Sequence, residues 1–144
     1  MKIKKPLECF KAYDIRGKLG SELDENIAYR IGLATSKALS AKRVVVGFDA
    51  RESSPMLAKH VGEGICKTGA DVYRIGLAGT EEMYWAVTKF NADAGIEVTA
   101  SHNPIEYNGM KIVKKRSQPL TDYEFSCVKK FIEEGASTVV NLDI

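Results

Sequence analysis

The chain has 144 residues, of which 44% are hydrophobic and 28% charged, and its formal net charge is +2. These values are typical of one globular domain with a core of its own. The basic residues near the start are not interleaved with aromatic residues, and no apolar run approaches the ~20 residues that span a bilayer, so we expect neither a nucleic-acid partner nor a membrane partner.

The cysteines and histidines indicate neither a disulfide framework nor a zinc site. Cys9, Cys66 and Cys127 are odd in number and far apart, and His60 and His102 lack the spacing of metal ligands. The lysines at the start are followed by a Pro-Leu-Glu sequence instead of the apolar region of a signal peptide. We therefore expect a reduced, cytoplasmic protein.

The first half of the chain alternates between helical and strand patterns. Residues 24–39 carry apolar side chains at helical spacing, and Asp24 is the predicted N-cap of this helix. Residues 43–49 are almost wholly apolar, which is typical of a strand buried on both faces. Ser54 before a proline predicts the N-cap of a second helix, and Gly69 its end.

The second half continues the alternation. Residues 71–76 predict a strand, and Thr80 is the predicted cap of a helix that carries its apolar residues on one side. Two further strands are predicted at 94–100 and 109–113. The spacing of Thr121-Asp122-Tyr123-Glu124 predicts a capping box at the start of a last helix.

This order of elements predicts a three-layer α/β/α domain. Only about eight residues separate the strands at 94–100 and 109–113, too few for a crossover helix, so these two should run antiparallel. The sheet is therefore predicted to be mixed and mostly parallel. Trp85, on a helix face, is assigned to the core. Residues 135–144 are interpreted as the start of a connection to a further domain.

The loop at 101–108 is longer than a hairpin usually needs. Asn103 before Pro104 is restricted to extended backbone, and Asn108-Gly109 is predicted to form a turn, so Ser101 should be held in place. A serine fixed at the end of a strand can act as a nucleophile or carry a phosphoryl group.

The residues of this loop allow three interpretations. A serine hydrolase is disfavoured, because Ser101 lacks the flanking glycines of a nucleophile elbow and the adjacent His102 is poorly placed as its base. A phosphoserine carries roughly −1.5 to −2 charge and needs a nearby cation, which Lys111 supplies. The residues alone leave a phosphoryl site and an ordinary structural loop equally open.

Four stretches resemble one family in order along the chain. The stretch "GIEVTASHNPIEYNGMKIV" resembles the phosphoserine loop of the α-D-phosphohexomutases, and "KAYDIRG", "VVVGFDARESSP" and "GLAGTEEMYWA" resemble three other segments of their first domain. The resemblance covers about residues 8–134 and is nearest to the bacterial phosphomannomutase and phosphoglucomutase branch. It implies interconversion of hexose 6-phosphate and hexose 1-phosphate, with mannose as the expected sugar, through a phosphoserine and a hexose 1,6-bisphosphate intermediate.

The resemblance also implies roles for individual residues. Ser101 matches the phosphorylated serine, which also binds Mg²⁺ through its phosphate, and Lys111 matches a cation and proton carrier at the site. His102 matches a hydrogen-bonding or acid-base partner. Tyr13 and Arg16 match the segment that approaches the substrate, and Arg16 suits bidentate contact with phosphate.

Three residues after the second predicted strand, Asp49, Arg51 and Ser53, are expected to brace the loops without touching substrate.

Residues 1–144 are accordingly expected to be domain I of a four-domain enzyme. Domains II–IV, with the aspartates that complete the Mg²⁺ site, are expected to lie outside this chain and to be its partners together with the hexose phosphate. Hexose 1,6-bisphosphate is the expected activator, and the isolated domain is expected to be inactive. A stand-alone, non-catalytic phosphoserine module remains the alternative.

Overall fold

The computed structural model describes residues 7–12 and 14–134 of the chain. The strands in this part are β1 (Ile15–Lys18), β2 (Arg43–Phe48), β3 (Asp71–Leu77), β4 (Ala94–Val98), β5 (Tyr107–Lys114) and β6 (Gln118–Pro119). The helices are α1 (Glu25–Ala38), α2 (Ser54–Lys67), α3 (Thr80–Lys89) and α4 (Asp122–Glu134), with one 3-10 turn at Lys115–Ser117. The predicted connection at 135–144 lies outside the described residues.

The first and last helices begin at the predicted residues, and side-chain hydrogen bonds cap both of them. The carboxylate of Asp24 accepts the Ile27 N–H at 2.8 Å and caps α1, as predicted. The capping box of α4 is confirmed in both directions. The Thr121 N–H donates to Glu124 Oε1 at 2.8 Å, and the Glu124 N–H donates to Thr121 Oγ1 at 3.1 Å.

Two predicted N-caps are wrong by one residue. Ser53, not Ser54, caps α2, because the Ser54 side chain turns inward, is buried and donates to Asp49. Gly79, not Thr80, caps α3, and its N–H is satisfied by the Glu82 carboxylate at 2.8 Å.

The end of α2 follows the prediction. The helix closes at Thr68, and Gly69 adopts a φ of +89°, a left-handed backbone that only glycine takes without strain.

The sheet is mixed, as predicted, with the strand order β1-β5-β4-β2-β3 and β6 paired to β5. Strand β2 pairs parallel with both β3 and β4, whereas β5 is antiparallel to β1, β4 and β6. The antiparallel pairing of the strands that flank the serine loop is confirmed. All strands except β5 therefore run in the same direction, and in this sense the sheet is mostly parallel. The pairs of neighbouring strands are not mostly parallel, because every pair that includes β5 is antiparallel. Strand β1 carries charged residues in half its length and was not predicted.

The two faces of the sheet are covered by different helices, which confirms the three layers. One core cluster joins the sheet to α1, α2 and α4, and a smaller cluster joins it to α3. Trp85 belongs to neither cluster. Its side chain is 63% exposed, because it lies on the outer side of α3 next to Phe90, so its assignment to the core was wrong. None of the helices in the described part of the chain combines the length and apolarity of a membrane span.

Helices α1 and α2 approach each other through glycines. A Cβ at Gly32 would lie 2.1 Å from the Val61 carbonyl oxygen, and a Cβ at Gly64 would lie 2.0 Å from the Tyr29 carbonyl oxygen. Backbone atoms of a packed helix cannot move away cheaply, so both positions require glycine.

We expect Gly64→Ala to lower the free energy of unfolding by about 1–3 kcal/mol, because the added methyl group would push the two helices apart. Urea unfolding followed by circular dichroism measures the change. Gly79→Ala is the matched control, since a Cβ there would meet only the Glu82 carboxylate at 3.6 Å. Equal losses in the two variants would show that the close crossing does not need glycine.

Candidate functional site

Ser101 is exposed just beyond the carboxyl end of β4, after Thr99 and Ala100, which are both buried. Its φ of +54° is left-handed, a conformation that costs a residue other than glycine of order 1–3 kcal/mol. The Thr99 hydroxyl accepts the Ser101 N–H at 3.0 Å and helps to hold this backbone. The fold thus keeps Ser101 in a strained backbone conformation that exposes its hydroxyl to solvent.

The loop has the predicted length but lies two residues earlier in the chain, since β4 ends at Val98 and β5 already begins at Tyr107. Asn108 and Gly109 lie within β5 and do not form the predicted turn. Gly109 is needed inside the sheet instead, because a Cβ at this position would lie 2.0 Å from the Ile15 carbonyl oxygen. The glycine lets β1 pair closely with β5.

Asn108 joins β5 to the start of α2. Its side chain is fully buried, and its amide nitrogen donates to the hydroxyls of Ser53 at 2.8 Å and Ser54 at 2.9 Å. Its amide oxygen accepts the Gly109 N–H at 2.8 Å. Because these three hydrogen bonds satisfy a buried amide, they fix the start of β5 against α2.

Arg51 clamps the serine loop through the backbone. Its guanidinium donates to four carbonyl oxygens, those of Ser101 at 3.0 Å, Asn103 at 2.6 Å, Pro104 at 2.9 Å and Tyr107 at 3.1 Å. The Arg51 side chain is only 14% exposed. Its charge-assisted bonds to Asn103 and Tyr107 are partly buried, whereas those to Ser101 and Pro104 are exposed.

Asp49 in turn holds Arg51. One of its carboxylate oxygens accepts the Arg51 N–H at 3.1 Å and the Ser54 hydroxyl, and the other lies 3.6 Å from Arg51 Nε. Together with Ser53, which binds Asn108, these contacts confirm that the three residues after β2 brace the loop. Sequence alone did not indicate that Arg51 does most of this.

Arg16 and Lys111 project from the same face of the sheet. In β5, Val113 belongs to the α3 cluster, and Lys111 shares its face because side chains alternate along a strand. Arg16 in β1 is paired with Gly109 of β5, which places it on that face as well. The structure therefore brings these two predicted site residues together on the side of the sheet that α3 covers.

The surroundings of the other predicted residues differ. Arg16 forms an ion pair with Asp14 at 2.8 Å, while its Nε is buried without a partner among the described residues. His102 is exposed beside Ser101. Tyr13 lies outside the described residues.

Glu97 is a buried acid that sequence reasoning did not assign to the site. It is fully buried in β4, and neither carboxylate oxygen has a hydrogen-bond partner among the described residues. Burial, with smaller contributions from Asp49 and Glu82, raises the pKa of Glu97 from 4.5 to about 8. A charged residue in the middle of an otherwise apolar strand was the signal that could have pointed to it.

The described residues do not by themselves form a magnesium site. No group of three or more His, Cys, Asp and Glu side chains among them is arranged to hold a metal ion. Ser101 could offer one oxygen, or the oxygens of a phosphate carried on it. Tight Mg²⁺ sites combine such oxygens with carboxylates, which here would have to come from outside the described residues.

Comparisons with known proteins point in one direction. The family model described as phosphoglucomutase/phosphomannomutase, alpha/beta/alpha domain I, matches residues 7–138. The chain is 50% identical over 130 residues to a phosphomannomutase of Klebsiella pneumoniae, covering 90% of this chain and 83% of that sequence. It is also 50% identical over 130 residues to a phosphomannomutase of Escherichia coli, of which it spans only 28%.

A solved structure agrees with the sequence matches. The crystal structure of a phosphoglucomutase/phosphomannomutase family protein from Burkholderia thailandensis superimposes with a TM-score of 0.80 at 34% identity. The match covers 88% of this chain and 30% of that protein.

We expect Arg51→Lys to loosen the serine loop, because one ammonium cannot replace a guanidinium that donates to four carbonyls. The free energy of unfolding should fall by about 2–4 kcal/mol. Amide hydrogen exchange of the backbone between Val98 and Tyr107 should accelerate more than that of the helices. Arg43→Lys, at an exposed side chain of β2, is the control. Unchanged exchange in the loop would mean that the clamp does not hold it.

The stability of the protein should depend on the ionisation of Glu97. Between pH 4.5 and about 8 the folded state keeps a proton that the unfolded state releases, so stability falls as the pH rises through this window. Glu97→Gln removes this pH dependence. As the pH rises from 5 to 9, the free energy of unfolding of the variant should therefore increase by about 2–4 kcal/mol relative to that of the wild type. Urea unfolding at several pH values measures it, with the exposed Glu106→Gln as control. Parallel pH profiles for wild type and Glu97→Gln would contradict the raised pKa.

Proposed function

The chain belongs to the phosphoglucomutase/phosphomannomutase family, and on that premise we propose that it is the phosphoserine-bearing domain of a hexose phosphate mutase. The family match covers residues 7–138, within the α/β/α domain I of these enzymes. The proposed reaction interconverts hexose 6-phosphate and hexose 1-phosphate in the cytoplasm. Mannose is the proposed sugar, since the relatives at about half identity are named phosphomannomutases.

The presentation of Ser101 carries this proposal. An exposed hydroxyl on a left-handed residue, clamped through its own carbonyl oxygen by Arg51, is more elaborate than a structural loop requires. Phosphoryl transfer depends on positioning and on neutralising negative charge, with little covalent chemistry left to the protein. A fixed hydroxyl beside a face that carries Arg16 and Lys111 meets both demands.

In the proposed mechanism, phosphorylated Ser101 gives its phosphoryl group to a hexose phosphate. The bond between Ser101 Oγ and phosphorus breaks while a bond forms to a hydroxyl oxygen of the sugar. The sugar hydroxyl loses its proton and Ser101 Oγ gains one, which gives a hexose 1,6-bisphosphate and a free serine. The bisphosphate then returns its other phosphate to Ser101. The same bisphosphate would serve as activator by phosphorylating an empty serine.

Three further residues of this chain have proposed roles in that cycle. Lys111 offsets the charge on the transferring oxygens and gives a proton to Ser101 Oγ as the phosphoryl group leaves it. Arg16 binds a substrate phosphate through two donors of its guanidinium. His102 donates a hydrogen bond beside Ser101. Tyr13 is proposed to contact the substrate near Arg16.

The remaining parts of the enzyme are proposed to come from elsewhere in a longer protein. The chain spans 83% of the Klebsiella pneumoniae relative but 28% of the Escherichia coli relative and 30% of one from Salmonella typhimurium. Carboxylates from outside the described residues would hold Mg²⁺, which neutralises phosphate charge when bound. The isolated chain should therefore not turn over substrate.

A chimera tests the role of Ser101. Residues 7–134 replace the matching segment of the Escherichia coli phosphomannomutase, and turnover of mannose 1-phosphate is measured with the bisphosphate activator. Ser101→Ala should lower kcat by several orders of magnitude, because the neighbouring hydroxyl, that of Thr99, is buried and accepts the Ser101 N–H. Ser126→Ala, an exposed serine on α4, should leave kcat unchanged.

Circular dichroism and thermal unfolding establish that each chimera is folded. Near-normal turnover in folded Ser101→Ala would overturn the assignment. An active Ser126→Ala beside an inactive Ser101→Ala would also argue against a purely non-catalytic phosphoserine module.

A further inference from the structure

The proposed mechanism makes no use of Glu97, the buried acid in β4. Its two carboxylate oxygens have no hydrogen-bond partner among the described residues, although a buried polar group without a partner is costly. Such a group is retained in few proteins without a reason.

The strand register places one lysine beside it. Glu97 and Lys111 are directly opposite each other in the antiparallel pair β4–β5, so their side chains leave the same face of the sheet. The Cβ atoms of such a pair are about 4.5–5.5 Å apart, well within the reach of a lysine side chain. On the other side, β2 pairs Glu97 with Gly47, where a Cβ would lie 2.7 Å from Glu97 Oε1. The glycine makes room for the carboxyl.

The other charged groups that face Glu97 already have partners. Asp49, beyond β2, binds Arg51, and Glu82 of α3 accepts the Gly79 N–H at 2.8 Å. From β3, the side chain that approaches this space is the apolar Ile75. Lys111, by contrast, forms no ion pair with any described residue, Glu97 included. The Oε1 atom of Glu97 is turned toward Gly47, so the two side chains meet only after a change of rotamer.

We propose that Glu97 is a positioning residue for Lys111, and that the two side chains exchange a proton across β4 and β5. This inference deepens the proposed function and rests on it for the role of Lys111. After Lys111 has given a proton to Ser101 Oγ as its bond to phosphorus breaks, the O–H bond of Glu97 breaks and its proton forms an N–H bond with Lys111 Nζ. The electron pair stays on the carboxyl, which leaves an ammonium–carboxylate pair.

The direction of this transfer is favourable. The pKa of Glu97 is raised to about 8, still below the ~10.4 of an ordinary lysine, so the proton prefers the amine. Near neutral pH the Glu97 carboxyl is therefore protonated and neutral, so no charge is buried in the resting protein. Glu97 returns Lys111 to its cationic form while phosphate is next to it.

Nuclear magnetic resonance on the 144-residue chain tests the pair without any catalysis. The side-chain carboxyl carbon of Glu97 is followed from pH 4 to pH 10. Lys111→Met should raise its titration midpoint by roughly half a unit, a threefold change in the acid dissociation constant, because a facing ammonium favours the carboxylate. Lys115→Met is the control, since Lys115 lies 3.5 Å from Asp93, away from Glu97.

The reciprocal titration uses Glu97→Gln and follows the Cε of Lys111, whose midpoint should fall by a similar amount. If neither midpoint moves, the pair does not exist and the proposal is overturned. That outcome would leave the role of Ser101 untouched, since no phosphoryl transfer is measured. Conversely, an active Ser101→Ala chimera would remove the proposed function without affecting the titrations.

The pH–rate profile of the active chimera separates an effect on Lys111 from a structural effect. Glu97→Gln should move the alkaline limb to lower pH, because Lys111 then loses its proton more easily. A lower rate with an unshifted limb would mean that Glu97 contributes only to packing, and would overturn the proton exchange.

Discussion

The bonds from the Arg51 guanidinium to the backbone of the serine loop are the interaction on which the rest of the site depends. A loop between two strands has no ladder to satisfy its carbonyl groups, and Arg51 binds three of them together with the carbonyl of Tyr107 at the start of β5. Asp49 fixes Arg51 in turn. Because both residues follow β2, the neighbour of β4 in the sheet, the position of Ser101 is tied to the sheet. This attachment can offset the left-handed backbone of Ser101.

The sheet keeps two kinds of chemistry apart. Its α1, α2 and α4 face is closed by apolar packing, including the glycine crossing of α1 and α2. The opposite face is covered by α3, a helix of only ten residues. The same face of the sheet also carries Arg16, Lys111 and the buried Glu97. One face thus supplies the stability of the fold, and the other is free to place charges near Ser101.

Most elements of the fold could be predicted, because their signals are local. The alternation of apolar patterns, the Asp24 cap and the capping box at Thr121 each depend on residues within about four positions of one another. The misplaced caps at Ser54 and Thr80 had the same origin. A serine or threonine is a good cap by propensity, but burial of Ser54 and the bond from Gly79 to a glutamate moved each boundary by one residue.

The sequence by itself therefore determined the layered α/β architecture and the antiparallel pair around the serine loop, and it pointed to Ser101 as the candidate residue of that loop. Only the tertiary structure decided that Asn108-Gly109 belongs to a strand, that Trp85 is exposed and that Glu97 is buried opposite Lys111. Local patterns are set by neighbours along the chain. Burial and charge pairing are set by strand register and packing between distant segments, such as the clamp that joins Arg51 to residues about fifty positions away.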